Sequence, residues 1–395
     1  MSDLSLPSQL RRNLSFDDPR VRGVVYQALL AGSLLALTAA IGIQTVSNMS
    51  ARGIPLSLDF WNETAGFAIN QTLIPYDSLS TYGRAFWVGV VNTLVAGGLG
   101  ILFATILGFV VGVARLSDNW IVAQVSESYV EIIRNVPLLL QLLFWYHAVL
   151  KPLPAPKASI AIPGGIYLNN RGLIFPEIQV HPGAGVVGLA VLIAGVLSAA
   201  FYMHAKGVQK RTGRQLPILA SCAGLMIGLP LLAVITTGSP VSFLEPKLVG
   251  FNFRGGHQLY PEFAALLIGL SVYTASYIAE IVRGGILAIP RGQTEAAYAL
   301  ALPPGKTLRL VIIPQALRII VPPLTSQYLN LIKNSSLAVF IGYPDLVQVF
   351  AGTVLNQTGA AIQVMAITLS VYLAISLLTS MAMNLFNQRL AIVER

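Results

Sequence analysis

"RGGILAIPRGQTEAAYALALPPGKTLRLVIIPQALR", residues 283 to 318, is basic and interrupted by Pro and Gly, yet it lies between two long apolar runs. Such a segment cannot remain in hydrocarbon, because a charged side chain at the bilayer centre costs on the order of 3 kcal/mol on insertion scales. It reads as a loop between two membrane spans. The other residues agree: the 395-residue chain is 55% hydrophobic and 10% charged, whereas a soluble globule carries about 25% charged residues. Most of its surface must therefore meet lipid, and the predicted fold class is an all-α polytopic membrane protein.

About 20 mainly apolar residues in a helix cross the roughly 30 Å of hydrocarbon. Eight runs satisfy this, near 24–46, 86–114, 121–150, 185–205, 216–237, 261–283, 319–341 and 361–387. The first is too long for a cleaved leader and is read as an anchor. An even number of spans puts both termini on one side. With the N-terminus inside, sixteen Lys and Arg fall in interior segments and seven in exterior ones, which predicts cytoplasmic termini and a cytoplasmic loop at 283–318. The net charge of +9 is then a matter of orientation, and no nucleic acid partner is expected. Two exterior stretches are long, 47–84 and 151–184, the second opening with "KPLPAPKASIAIPGG", which is too rich in Pro and Gly for a regular helix.

Enzyme chemistry is not predicted. Cys222 is the single cysteine and lies in an apolar run, so neither a disulfide framework nor a thiolate cluster can form. His147, His181, His204 and His257 lack metal-ligand spacing. "PPGKT" at 303–307 ends like a phosphate loop, but the Gly required five residues before the GK is Leu300, and no strand precedes it.

Within the loop, Pro290 to Gly292 are expected to end the sixth helix. Thr294 would then serve as N-cap, with Glu295 in the first turn of a short helix favoured by its dipole. Glu295, Ala296, Ala297 and Tyr298 begin two turns that run to Leu302, before Pro303, Pro304 and Gly305 stop them. Two turns alone are unstable, because nucleation costs more than so few hydrogen bonds return. A groove on a partner protein would hold this helix, and so would lipid headgroups.

Polar residues inside the spans supply the other candidates. Gln327, Asn330 and Asn334 share one face of the seventh run, with Lys333 and Ser335 beside it. Such a stripe suits the path of a zwitterionic solute, or glue between helices. Pro322 and Pro323 are expected to loosen the start of that helix. Asn92 and Thr93, with Tyr273, Thr274 and Tyr277, are further path candidates that packing would equally explain. Glu131 with Arg134, and Glu280 with Arg283, are each three residues apart and can pair on one helix face, either as a gate or as a static brace. Gly108 with Gly112, and Gly224 with Gly228, have the spacing of close helix contacts.

The loop resembles the EAA loop in the integral membrane subunits of bacterial ABC importers. Glu295, Ala296, Ala297 and Pro314 match its pattern, while Ala301, Val311 and Ile313 stand where it has Gly, Ile and Leu. Ala301 lacks the freedom of Gly, so the bend is expected to rest on Pro303, Pro304 and Gly305. "EIIRNVPLLLQLLFWY" at 131–146, "YIAEIVRGGILAIPRGQTEAA" at 277–297, "IIPQALRIIVPPLTSQYLNLIKNSSLA" at 312–338 and "IGYPDL" at 341–346 resemble the polar amino acid branch, similar to histidine permease subunits. An added N-terminal span and a large insertion resemble the general L-amino acid permeases of Gram-negative bacteria.

That resemblance implies a five-helix type I importer core from 81–150 and 261–395, preceded by 1–80 and interrupted by 151–260 with two extra spans. The segment 284–318 would be the coupling loop. It also implies a bacterial inner membrane location and a homologous second permease that forms a heterodimer with this chain, alongside a periplasmic amino acid binding protein. An ATPase dimer would hold ATP and Mg, leaving no cofactor on this chain. An ion-gradient-driven transporter of small polar solutes and a membrane scaffold are the competing readings.

Overall fold

The computed structural model describes residues 19–51, 57–181, 183–238 and 241–390. Arg11, Arg12, Arg52 and Arg395, which entered the orientation argument, lie outside the described residues, as does most of the N-terminal tail. In chain order the helices open with α1 (Pro19–Ala51), α2 (Tyr82–Ala114), α3 (Trp120–Asn135) and α4 (Leu138–Leu143), the last prolonged by a π-helical stretch, Phe144–Leu150. Strands β1 (Ile160–Ile162), β2 (Ile166–Asn169), β3 (Gly172–Phe175) and β4 (Glu177–Val180) precede α5 (Ala184–Thr212) and α6 (Ile218–Thr237). Then come β5 (Val241–Leu244), β6 (Lys247–Val249), β7 (Asn252–Arg254) and β8 (His257–Leu259). The chain ends with α7 (Pro261–Leu287), α8 (Arg291–Ala299), α9 (Pro304–Thr307), α10 (Ile313–Asn334), α11 (Leu355–Thr358) and α12 (Ala361–Leu390).

Among the described residues, seven helices are long and apolar enough to cross a membrane, or eight if one bent pair is a single span. That pair corrects the expectation of an unbroken span over 121–150, since α3 and α4 meet at 105°. The cause is local. Pro137 has no N–H and disfavours helical geometry at Val136, so Val136 and Pro137 are extended. The seventh run also differs: α9, a π turn (Leu308–Ile312), α10 and a 3-10 turn (Ser335–Ile341) form one rod from Pro304 to Ile341. Pro322 and Pro323 lie inside α10, so they do not mark its start.

The described backbone divides into two compact units, one within 1–90 and 346–374 and one within 91–345 and 375–395. The first is built on aromatic packing. Phe86 lies 5.1 Å from Phe350 and 5.1 Å from Trp61, and the Trp61 indole occupies the space a Cβ on Gly83 would need. The stretch before α2 folds back on itself, with Tyr76 donating to the Phe67 carbonyl at 2.9 Å and Arg84 to that of Pro75 at 2.8 Å.

The second unit holds a core in which α2, α4, α7 and α10 contribute Ala104, Leu142, Leu270 and Leu331. Gly108 and Gly112 are where α2 meets α7: a Cβ at Gly108 would lie 2.6 Å from Ile278, and one at Gly112 would lie 2.7 Å from the Ala279 carbonyl. The same spacing at Gly224 and Gly228 of α6 faces open space. Helices α5 and α6 pack along each other. Strands, which composition did not foretell, flank these two helices. An antiparallel sheet runs β1–β2–β3–β8, with Leu168 opposite Leu173 and Leu173 opposite Leu259, while β4 pairs β5 and β6 pairs β7. Short strands bounded by glycines at positive φ, such as Gly164 and Gly165, read in sequence as loop.

Candidate functional site

The polar stripe and the tyrosines of the preceding span converge. Gln327, Asn330 and Asn334 of α10 line one cavity of about 270 Å³ with Tyr273, Thr274 and Tyr277 of α7. Spacings of three and four along each helix put three side chains on one face, and α7 packs along α10. The Tyr273 and Tyr277 hydroxyls are 3.0 Å apart. The wall thus offers amide donors and acceptors together with phenolic hydroxyls, a set able to bind a carboxylate and an ammonium alike.

Four predicted path residues lie elsewhere. Lys333 is exposed and does not line this cavity. Ser335 is buried, its hydroxyl donating to the Ile332 carbonyl at 2.7 Å. Asn92 is fully buried: its amide donates to the Pro344 carbonyl at 2.8 Å, and its own carbonyl accepts from the Tyr343 hydroxyl at 3.0 Å. It locks α2 to the chain beyond α10. Thr93 lines a second, apolar cavity of about 170 Å³ with Gly97 and Ile332.

The acidic and basic candidates form a network instead of two pairs. Glu280 accepts from Arg283 at 2.8 Å and also pairs with Arg115, while Arg134 comes within 4.0 Å of it. The predicted Glu131–Arg134 pair does not form: Arg134 is drawn across to α7, where its guanidinium sits 5.0 Å over the Tyr277 ring. Arg115 was not a predicted site residue. Its side chain is only 8% exposed and also reaches Glu127 at 3.5 Å. The signal was available, because Arg115 directly follows the span that carries Gly108 and Gly112.

The short loop helix starts earlier than expected. Pro290 precedes α8, which runs from Arg291, so Thr294 is inside the helix and is not its cap, and Glu295 is beyond the first turn. The end is a Schellman arrangement: Leu302 N–H bonds the Ala297 carbonyl at 3.1 Å and Ala301 N–H that of Tyr298 at 2.8 Å. Ala301 takes φ 56°, left-handed geometry that Gly would adopt freely. The bend therefore lies at Ala301, before Pro303. Within this chain, Ala297 and Thr307 are buried, and Gln315 of α10 donates to Gln293 of α8 at 3.1 Å. Tyr298, half exposed, and Leu300, 77% exposed, leave an apolar edge open.

Residues 211–392 match the family described as "Binding-protein-dependent transport system inner membrane component". The chain is 51% identical to the Escherichia coli (strain K12) amino-acid ABC transporter permease protein YhdX over 98% of this chain and 99% of that one. It is 48% identical to the Rhizobium johnstonii general L-amino acid transport system permease protein AapQ, covering 96% and 94%. Against the Rhodobacter capsulatus glutamate/glutamine/aspartate/asparagine transport system permease protein BztB it is 41% identical, covering 98% and 97%.

Proposed function

The chain belongs to the family of amino-acid ABC transporter permeases, and from that membership we propose that it forms half of an ATP-driven path importing L-amino acids across the bacterial inner membrane. It is a multi-pass membrane subunit and not itself the catalytic one. No observation favours the gradient-driven alternative. General L-amino acid specificity is supported by the likeness to AapQ and by a cavity whose donors and acceptors suit the groups common to all α-amino acids. In this reading 81–150 and 261–395 are the permease core, and 1–80 and 151–260 are additions to it.

The observation that carries the mechanism is connectivity. Helix α8 is joined through three residues to α7 and tied by Gln293–Gln315 to α10, and α7 and α10 are the two walls of the polar cavity. A push on α8 thus reaches both walls. The exposed edge at Tyr298 and Leu300 suits a cleft on a cytoplasmic ATPase, with Glu295 and Ala296 on the docking turn and Ala297 packed inward against this chain. ATP and Mg are held by that partner, in a dimer. Closure and opening of the ATPase shift the spans between two states, and amino acid must bind those states differently for transport to result. Because only two helices of this chain line the cavity among the described residues, a second, homologous permease completes the enclosure, and a periplasmic binding protein delivers substrate to the side carrying the strands. The excess of Lys and Arg in the segments on the α8 side supports cytoplasmic termini.

Replacing Glu295 by Lys on the exposed turn tests this reading. In proteoliposomes holding the whole complex, ATP-driven uptake of L-amino acids should fall at least about tenfold, the equivalent of about 1.4 kcal/mol of lost docking, while insertion and folding persist. Unchanged uptake would remove α8 from the coupling role.

A further inference from the structure

Beside the amino acid cavity lies a second, larger polar one of about 440 Å³, lined by Arg115, Glu131, Arg134, Asn135, Tyr277 and Glu280. Of these, only Tyr277 also lines the first cavity. The second cavity sits where α2 ends, α3 ends and α7 approaches α8, so it is nearer the loop than the first. Its charges divide into two kinds. Arg115 and Glu280 are committed to each other, and Glu280 also accepts from Arg283. Glu131 is exposed and, among the described residues, has no ion pair or side-chain hydrogen bond. Arg134 touches the Tyr277 ring and stands 4.0 Å from Glu280, beyond the reach of a normal hydrogen bond.

A static brace does not account for this. Two opposite charges three residues apart on a helix are placed to pair, yet here they do not pair with each other and both line one cavity, Arg134 making only a 4.0 Å contact with Glu280 and a ring contact with Tyr277. A guanidinium presents a planar fork of five donors that matches a carboxylate, and a carboxylate accepts from an ammonium. Glu131, which has no ion pair among the described residues, and Arg134, held by the Tyr277 ring with only a 4.0 Å contact to Glu280, are thus complementary to the two charged groups of an α-amino acid. We propose that this cavity is a second amino acid subsite on the exit side of the path, with Glu131 holding the α-ammonium and Arg134 the α-carboxylate. The proposal rests on the amino acid reading and the orientation given above. Tyr277 is the partition: its hydroxyl belongs to the Tyr273 pair in the first cavity, and its ring lies under Arg134 in the second. Substrate leaving the first cavity passes Tyr277 and is held again before release.

The test uses the complete complex in nanodiscs, with Cys222→Ser removing the single cysteine of this chain and Asn135→Cys placing a thiol in the cavity wall. The rate at which a small methanethiosulfonate labels this thiol is read by intact mass of the chain, with L-glutamine as probe and N-acetyl-L-glutamine, which lacks the ammonium, as control. With L-glutamine at ten times its half-protecting concentration, mass action leaves about one site in eleven empty, so labelling should slow about tenfold. The control should leave the rate unchanged, and Glu131→Gln should abolish protection. Asn330→Ala, which alters only the first cavity, should weaken uptake and leave protection of the thiol intact. Absence of protection by L-glutamine, equal protection by the acetylated control, or protection that survives Glu131→Gln would overturn the subsite. Loss of protection in Asn330→Ala would do so too, by making the two cavities one site. Normal uptake in Asn330→Ala with protection retained would instead count against the first cavity as the path.

Discussion

The side-chain amide of Gln141 donates to the Ile133 carbonyl at 2.9 Å, reaching back across the bend between α3 and α4, and donates at the same distance to the carbonyl of Val136. The last carbonyls of a helix have no partner within it, and Pro137 cannot supply one. Gln141 is buried and supplies both. Its replacement by Leu takes this donor from two part-buried carbonyls, at a cost of about 1 kcal/mol each. The expected result is a lower thermal midpoint of the purified protein in detergent, with Gln141→Glu recovering little because a carboxylate cannot donate. A midpoint equal to that of the natural protein would show the bend is held by Pro137 alone.

Helix α2 comes as near to α7 as it does because Gly112 has no side chain. A Cβ there would meet the Ala279 carbonyl at 2.7 Å, and backbone cannot move aside cheaply. Gly112→Leu should cost more than the roughly 1 to 3 kcal/mol of ordinary overpacking. Gly228→Leu in α6, facing open space, should be tolerated. Folded yield and monodispersity after detergent extraction compare them. Equal yields would contradict the packing.

Ala301 occupies a left-handed position that costs a non-glycine residue roughly 1 to 2 kcal/mol. Ala301→Gly removes that strain, partly offset by the greater freedom of Gly in the unfolded chain. Amide exchange at Ala301 and Leu302, the two donors of the terminal turn, should slow by up to about fivefold, the factor that 1 kcal/mol represents. Ala301→Val should speed it.

Glu280 gathers Arg115 and Arg283. Glu280→Gln keeps an acceptor but removes the negative charge, leaving the Arg115 guanidinium buried with a carboxylate only at the longer contact to Glu127. Removing one partner of a buried pair costs about 3 to 5 kcal/mol, and because Glu280 is a third exposed, the loss should fall at the low end. Glu131→Gln, on a carboxylate without an ion pair, should barely move the same midpoint. Equal losses in the two variants would mean that the network does not centre on Glu280.

How much of this was legible beforehand depended on distance along the chain. The spans were readable because lipid contact demands an apolar run, and the Gln327, Asn330 and Asn334 face because spacing on one helix needs no knowledge of the next. The loop and its likeness to a coupling segment were equally local. Other features were not local. Asn92 looked like a path residue until Tyr343 and Pro344, some 250 residues away, took up its groups. Glu131 and Arg134 looked like a pair until Tyr277 and Glu280 drew the arginine across.

From the order of residues alone came the membrane-spanning class, the exposed loop helix and the polar face of α10, since each follows from solvation and helical periodicity within a few turns. Tertiary packing decided which of two glycine pairs meets a neighbour, which charges are committed and which are left over, and that α7 and α10 close on one cavity. Those outcomes turn on which helices approach one another, and a buried polar group takes whichever partner that approach brings within about 3 Å.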